Sequence, residues 1–421
     1  MARRYFGTDG VRGVVGEDLT EDLVERLGQA FASWRAGSVL LGRDTRSSGP
    51  EIESALVKGL VRAGAHVVCG GVLPTPAVAL LSEEHAAVVS ASHNPPEYNG
   101  VKFFTDAGRK LSDAEEEEVE SLLDQPARNG GSSSQTASLA DRYVDLVAQR
   151  FGGPLEGLRV VLDCANGAMF EVAPRVFEGL KASVVTIGNS PDGMNINVGC
   201  GATDLGLLRE TVAAGDFDLG VAFDGDGDRM LAVDARGNEL DGDQILAILA
   251  PHLGVDLVAV TEMTNLGFHR LMSERGVRVI TTAVGDRYVL EALRREGGVL
   301  GGEQSGHVIY LNGHTTGDGL VAALLLARAV VEQGTPVAEI AAVMPRLPQA
   351  KSDVPVRTKQ LPNGLRERIA ELDEKLGDTG RILVRPSGTE PVIRILAEAE
   401  SRETAEELCG TIRALVLREL G

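Results

Sequence analysis

Three times along the chain, β-prone aliphatic runs alternate with amphipathic segments, and each round ends on a glycine-rich polar loop. In the first round Val39-Leu40-Leu41 precedes a segment starting at Pro50. There Ile52, Ala55, Leu56, Leu60 and Ala63 fall at helical spacing and Gly64 supplies the stop. His66 to Val68, a short helix from Pro76 and the strand Ala86 to Val89 follow, leading into Ser90-Ala91-Ser92-His93-Asn94-Pro95. The second round opens with Arg159-Val160-Val161-Leu162 and continues through a strand at Ser183 to Ile187 and a helix after Asp204. Its last strand, Leu219 to Phe223, enters Asp224-Gly225-Asp226-Gly227-Asp228-Arg229. The third opens with Leu257-Val258-Ala259-Val260, then a helix from Asn265 to Gly276, a strand Val277 to Thr281 and a helix from Asp286. A short strand near Val299 enters Gly302-Glu303-Gln304-Ser305-Gly306-His307. Strands alternating with helices of roughly 10–15 residues call for parallel or mixed sheets covered on both faces. Ligands of such sheets gather beyond the carboxyl ends of strands. The reading is therefore α/β, with three similar mixed α/β domains each giving one loop to a shared cleft.

After Pro348 the pattern changes. Helices are expected around Leu365–Leu376 and Ala405–Leu420, with Arg381 to Val384 and Val392 to Leu396 as strands between them. This is a smaller C-terminal α+β domain. The expected boundaries are 1–140, 155–252, 253–346 and 352–421. Ala127 to Ser138, with its glycine and serine run, reads as a flexible surface connection. Glu115 to Glu118 read as a solvated helix face opened by a Ser112/Glu115 capping box.

Charge narrows the partners. Lys+Arg number 41 against 61 Asp+Glu, a formal net charge of -20. A general nucleic-acid binder needs a basic face to displace counterions, so none is expected. No membrane span is expected either, because the longest apolar run, Leu320 to Ala327, stops far short of the ~20 residues required. Met1-Ala2-Arg3-Arg4 leads into Tyr5-Phe6-Gly7 and not into an apolar signal core. Cys69, Cys164, Cys200 and Cys409 lie far apart, which suits reduced thiols and a cytoplasmic location.

Asp224, Asp226 and Asp228 alternate with glycines just past a strand. In an extended stretch alternate side chains share a face, so three carboxylates converge, and a divalent ion relieves their repulsion. An EF-hand is excluded, since Arg229 and Ala235 stand where it needs glycine and glutamate. Asp241-Gly242-Asp243, before an apolar stretch, reads as a helix N-cap. Ser92 precedes His93-Asn94-Pro95-Pro96. In an extended backbone His93 points away from it, which speaks against a hydrolase dyad, and no Gly-x-Ser-x-Gly elbow exists. Taken alone Ser92 is a turn residue. Paired with a metal loop, a phosphorylated serine supplies the further oxygen that three aspartates lack, in an arrangement that Mg2+ favours. Arg385-Pro386-Ser387-Gly388-Thr389 offers a guanidinium, hydroxyls and backbone N–H groups suited to a phosphate dianion, or serves as an inter-strand turn. His307 reads equally as a core histidine and Lys102 as a surface lysine.

Together these four loops, in this order and spread over the whole chain, resemble the α-D-phosphohexomutase superfamily. Ser90 to Pro95 resembles its phosphoserine loop and Asp224 to Arg229 its metal loop. Gly302 to His307 resembles its sugar-binding loop and Arg385 to Thr389 its phosphate-binding loop. Phe6 to Gly13, Pro191 to Asn197, Val284 to Tyr288 and Gln304 are most similar to the bacterial phosphoglucosamine mutase branch. Pro96 to Gly100 and Cys200 to Asp204 depart from that branch. The resemblance implies an isomerase interconverting glucosamine 6-phosphate and glucosamine 1-phosphate. The route is a phosphoserine enzyme with glucosamine 1,6-bisphosphate as intermediate and activator, feeding cell-envelope precursors. It implies Mg2+ held by Ser92, Asp224, Asp226 and Asp228, and proton transfer or charge support from Lys102, His307 and Arg12. Glu303, Ser305 and Arg229 would meet the sugar phosphate, and Arg385, Ser387, Gly388 and Thr389 would hold the phosphate not being transferred. The partner is a small phosphosugar, and a homodimer is left open. The alternatives are a phosphomannomutase/phosphoglucomutase and a metal-dependent sugar phosphatase.

Overall fold

The computed structural model describes residues 4–7, 9–105, 108–125, 130–387 and 391–421. They form two compact units. The larger holds residues up to Met263 together with Val277–Ala342, and the smaller holds Thr264–Gly276 with Val343–Gly421.

The larger unit contains three sheets, and each has the same design. In the seven-stranded sheet His85–Val89, Ser38–Arg43, His66–Val72 and Ser132–Gln135 run parallel. Tyr98–Thr105 and Val11–Val14 add antiparallel strands on one side. In the second sheet Leu219–Phe223, Arg159–Asp163 and Ser183–Ile187 are parallel, and Met230–Asp234 returns antiparallel beside Leu219–Phe223. In the third, Leu300–Gly302, Leu257–Thr261 and Arg278–Thr282 are parallel, and Val308–Tyr310 returns beside Leu300–Gly302. The three polar loops, 90–97, 224–229 and 303–307, are thus the same piece of architecture. Each joins a parallel strand to its antiparallel neighbour at the sheet's carboxyl end.

Core packing follows the apolar periodicity. The stripe Ile52, Ala55, Leu56 and Leu60 of the helix Gly49–Arg62 is buried in the first domain's core, with Phe31 stacked 4.4 Å from Phe103. The run Leu320 to Ala327 lies in the helix Gly319–Gln333, buried on nearly every face, as an all-round apolar helix must be. Asp318 caps it by accepting from Leu320 N and Val321 N. The second oxygen of Asp318 takes Tyr143 Oη–H at 2.8 Å and lies 2.9 Å from His314 Nε2. Among the described residues no helix is long and apolar enough to cross a membrane.

In the smaller unit Gln349–Pro355, Val392–Ala399 and Gly380–Pro386 form an antiparallel sheet packed by Asn363–Leu376 and Arg402–Leu420. The helix Leu266–Glu274 belongs to this unit. Asn265, its N-cap, donates Nδ2–H to Leu347 O at 2.9 Å and accepts Leu347 N–H at 3.0 Å.

Two readings are corrected. Ser132–Gln135 is not loose connection but a parallel strand beside His66–Val72. An edge strand needs only backbone groups, so four exposed polar residues carry no pattern that would reveal it. The acidic run 115–118 is not uniformly solvated. Glu115 pairs with Arg109 at 2.7 Å, and Glu116 is buried against Arg287. The Ser112/Glu115 capping box itself is present.

Candidate active site

Ser92 lies at the start of the first carboxyl-end loop, fully buried, in the left-handed backbone region at φ 52°. That conformation is uncommon for a residue with a Cβ and holds only where the surroundings impose it. Arg46 imposes it. Its side chain is completely buried and donates to Ser92 O at 3.0 Å, Asn94 O at 2.8 Å, Tyr98 O at 2.9 Å, and Pro95 O. Asp44 neutralises it at 2.9 Å and accepts Ser90 Oγ–H at 2.6 Å, while Ser90 Oγ accepts Ser92 N–H at 2.9 Å. Asn197 Nδ2 donates to Ser92 O at 2.9 Å and Asn94 O at 3.1 Å.

This geometry overturns the reading that His93 points away. Because Ser92 is left-handed and not extended, His93 Nδ1 lies 3.2 Å from Ser92 Oγ. Burial, then Arg229 and Arg12, push the His93 imidazole down to about 4, so it is neutral near pH 7.

Asp224, Asp226 and Asp228 converge, all buried, with one carboxylate oxygen from each within 4.8 Å of the others. Their convergence comes from a turn with Gly227 at φ 75°, not from alternation along a strand. Ser92 Oγ donates to Asp224 Oδ2 at 2.6 Å. Gly225 makes the approach feasible, since a Cβ there would stand 2.6 Å from Ser92 O. Burial and the neighbouring Asp228 and Asp226 push Asp224 well above the usual carboxylate range. Burial acts the same way on Asp228, but Lys102 and His307 outweigh it and hold the carboxyl well below that range.

Lys102 is buried, not a surface lysine. It meets Asp226 at 2.7 Å, Asp9 at 2.8 Å and Asp228 at 3.3 Å. Burial disfavours its charge, yet the three carboxylates keep it protonated well above the ordinary lysine range. His307 is buried with Nδ1 3.7 Å from Asp228 and Nε2 3.4 Å from Asp286, and these carboxylates outweigh burial and raise it. Arg12 pairs with Asp9 and reaches Asn94 Oδ1 at 3.4 Å. Arg229 N–H donates to Asp224 Oδ1 at 3.1 Å, and its guanidinium lies 3.9 Å from Asp228. Glu303 accepts Gly285 N–H at 3.0 Å, and Ser305, exposed, lies 3.5 Å from it.

The cluster fits a hard divalent cation. Asp226 Oδ1 is buried with no hydrogen-bond partner, an arrangement that is costly unless something positive meets it, and Asp228 Oδ1 has no hydrogen bond either, with His307 Nδ1 and Arg229 Nε only 3.7 and 3.9 Å away. All donors are oxygens, as magnesium or calcium prefers. In the smaller unit Arg385 is the next-to-last residue of the strand Gly380–Pro386, and Lys359 Nζ donates to Ser387 O at 2.9 Å. Gly388 and Thr389 lie outside the described residues.

Four models of phosphoglucomutase/phosphomannomutase domains match the chain in order. Alpha/beta/alpha domains I, II and III match 3–129, 141–237 and 241–347, and the C-terminal domain matches 325–415. The chain belongs to the phosphoglucomutase/phosphomannomutase family. Among its relatives are phosphoglucosamine mutases from Pelotomaculum thermopropionicum (47% identical, covering 97% of each chain) and Saccharopolyspora erythraea (47%, covering 98% and 99%). Another is that of Bacillus subtilis (42%, covering 99% of each). A crystal structure of a phosphoglucomutase/phosphomannomutase family protein from Burkholderia thailandensis superposes with TM-score 0.84 at 26% identity, covering 98% and 97%. Aspergillus fumigatus N-acetylphosphoglucosamine mutase, solved with GlcNAc-6P and magnesium, shares the fold at TM-score 0.68 and 18% identity, covering 98% and 96%.

Sequence reading of this family member missed Asp9, Asp44, Arg46, Thr75 and Asn197 as site residues. Asp44 and Arg46 were accessible in principle, since they sit just past the carboxyl end of Ser38–Arg43, where ligands of such sheets gather. Thr75 carries no signal beyond its two flanking prolines.

Proposed function

We propose that the chain is a phosphoglucosamine mutase, interconverting glucosamine 6-phosphate and glucosamine 1-phosphate through a phosphorylated Ser92 and a glucosamine 1,6-bisphosphate. The observation that carries this reading is Ser92 Oγ at 2.6 Å from a carboxylate of a buried three-aspartate cluster. Phosphoglucosamine mutases at 42–47% identity over nearly the whole chain support the choice of sugar. The residues that would hold Mg2+ are Asp224, Asp226 and Asp228 together with the oxygen on Ser92. When bound, the ion supplies Lewis-acid stabilisation to the transferring group.

The chain's own residues supply positioning and charge, which is most of what phosphoryl transfer asks of a protein. In the forward half-reaction the Oγ–P bond of Ser92 breaks as an O–P bond forms to the free sugar hydroxyl. The hydroxyl proton goes to a neighbouring base, and the departing Ser92 Oγ takes up a proton from the groups beside it, Asp224 and His93. Lys102, held protonated by its three carboxylates, acts as charge support and not as that base. His93 Nδ1 is neutral and within reach of Ser92 Oγ. Together with Asp224 Oδ2, which already accepts the Ser92 Oγ–H, it is placed to take the serine proton when the bisphosphate, turned end for end, returns its other phosphoryl group. Glu303 and Ser305 accept sugar hydroxyls, and Arg229, Arg12 and His307 face the anionic centre. In the smaller unit, Arg385, Ser387, Gly388 and Thr389 bind a phosphate dianion.

The test offers glucosamine 6-phosphate, glucose 1-phosphate and mannose 1-phosphate separately, following products and inorganic phosphate. The expected result is preference for the amino sugar with phosphate conserved, and loss of essentially all turnover in Ser92→Ala. Preference for a non-amino sugar overturns the sugar assignment, and stoichiometric phosphate release means a phosphatase.

A further inference from the structure

The two oxygens of Asp226 are used differently. Oδ2 accepts Thr75 Oγ1–H at 2.5 Å and Lys102 Nζ–H at 2.7 Å, while Oδ1 is buried with no partner. Asp228 is sorted less strictly, with Lys102 on Oδ2 and Oδ1 free of hydrogen bonds but facing His307 Nδ1 at 3.7 Å and Arg229 Nε at 3.9 Å. A carboxylate whose outer oxygen is saturated by two donors cannot rotate without breaking both, so its inner oxygen is aimed by default. Thr75 grips the metal loop a second time, since its N–H donates to Asp226 O at 2.9 Å. Its own backbone has little freedom, standing between Pro74 and Pro76 at the start of the buried helix Thr75–Leu81, and the residue is 1% exposed. The clamp runs from the domain that carries Ser92 to the loop that carries the aspartates. It therefore also bears on the Ser92–Asp224 separation.

We propose that Thr75 is a positioning residue for the metal site. Its hydroxyl fixes which oxygen of Asp226 faces the cation, and its two bonds to Asp226 hold the aspartate loop in register with the serine loop. The inference rests on the metal-site part of the proposed function and is independent of which sugar is used. Outer partners of metal ligands characteristically change affinity by roughly 10–100-fold when removed.

The experiment uses the full dephosphorylated chain and Mn2+ alone, titrated calorimetrically, with thermal unfolding in chelator as the check on folding. Thr75→Val keeps the shape and deletes the hydroxyl, and Thr75→Ser keeps the hydroxyl. The expected outcome is Mn2+ affinity weakened roughly 10–100-fold in Thr75→Val and within about threefold of wild type in Thr75→Ser. Thr75→Cys, similar in size with only a weak donor, replaces the valine variant if that chain does not fold, with the same expected loss. Unchanged affinity in the variant lacking the hydroxyl, equal losses in both variants, or no Mn2+ binding by the wild-type chain each overturn the proposal. A wild-type chain that binds Mn2+ but interconverts no glucosamine phosphate overturns the mutase reading alone. In that case the difference between the threonine variants still decides the clamp.

Discussion

Replacing Arg46 with methionine strikes the group that holds the serine loop. The guanidinium is completely buried, donates to four backbone carbonyls and neutralises a completely buried Asp44. Methionine fills much of the volume but leaves the carboxylate without its partner. Breaking a buried pair from one side costs about 3–5 kcal/mol, which exceeds the share of any single carbonyl bond. Trp34, the chain's single tryptophan, packs against Phe31 in the same domain's core, so its fluorescence reports this domain's unfolding. At a urea slope of about 2 kcal/mol per M, the transition should move down by about 2 M. Asp44 is already raised above the usual carboxylate value by burial, so in the variant it can escape its charge by taking a proton. The gap between wild type and Arg46→Met should therefore narrow as pH falls from 7 toward 4. Adding Asp44→Asn removes the stranded charge, and the double variant should be more stable than the sum of the two singles predicts. A midpoint shift below about 0.5 M, or strict additivity, would refute the account of Arg46 as a charge-paired organiser of the loop.

Asp163 makes a pH prediction of definite sign. Burial pushes its carboxyl up to about 6, against the N–H bonds from Gly201 at 2.7 Å and Ala165 at 3.0 Å. The folded state therefore holds the proton more tightly than the unfolded one. Its contribution is full below the ordinary aspartate value and is lost as pH rises through about 6, by up to about 3 kcal/mol. Stability curves of wild type and Asp163→Asn should diverge over that window, and parallel curves would discard the assignment. Gly225→Ala puts a Cβ 2.6 Å from Ser92 O and 2.8 Å from Ile196 Cδ1, forcing the metal and serine loops apart by nearly an ångström. Turnover should drop about 100-fold. Gly179→Ala, on a helix with nothing within 4 Å, should be neutral, and equal losses in both variants would show that the close approach does not matter.

Much of the framework was legible. The Ser112/Glu115 capping box, the helix N-cap at Asp241 and the helix from Asp286 follow from short-range pattern, and they form where the pattern puts them. Tyr98–Thr105 was not legible as a strand. It follows two prolines and carries Asn99, Gly100 and Lys102, and only its pairing with Val11–Val14 and His85–Val89 makes it one. Residues alone left Lys102 open to a surface reading for the same reason, because a lysine's burial depends on carboxylates at positions 9, 226 and 228 that no local pattern reveals.

By itself the sequence determined that three similar sheets would each end in a chemically loaded loop, and which residue types those loops would carry. Periodicity and turn chemistry act over a few residues and are written directly in the chain. The tertiary structure alone decided how those residues are used. It put Ser92 in a left-handed bend with His93 beside its hydroxyl, buried Lys102 among three acids, and left one oxygen of Asp226 bound and the other bare. Such choices are made where low dielectric and close packing magnify every unpaired charge, and that environment exists only once segments more than a hundred residues apart have come together.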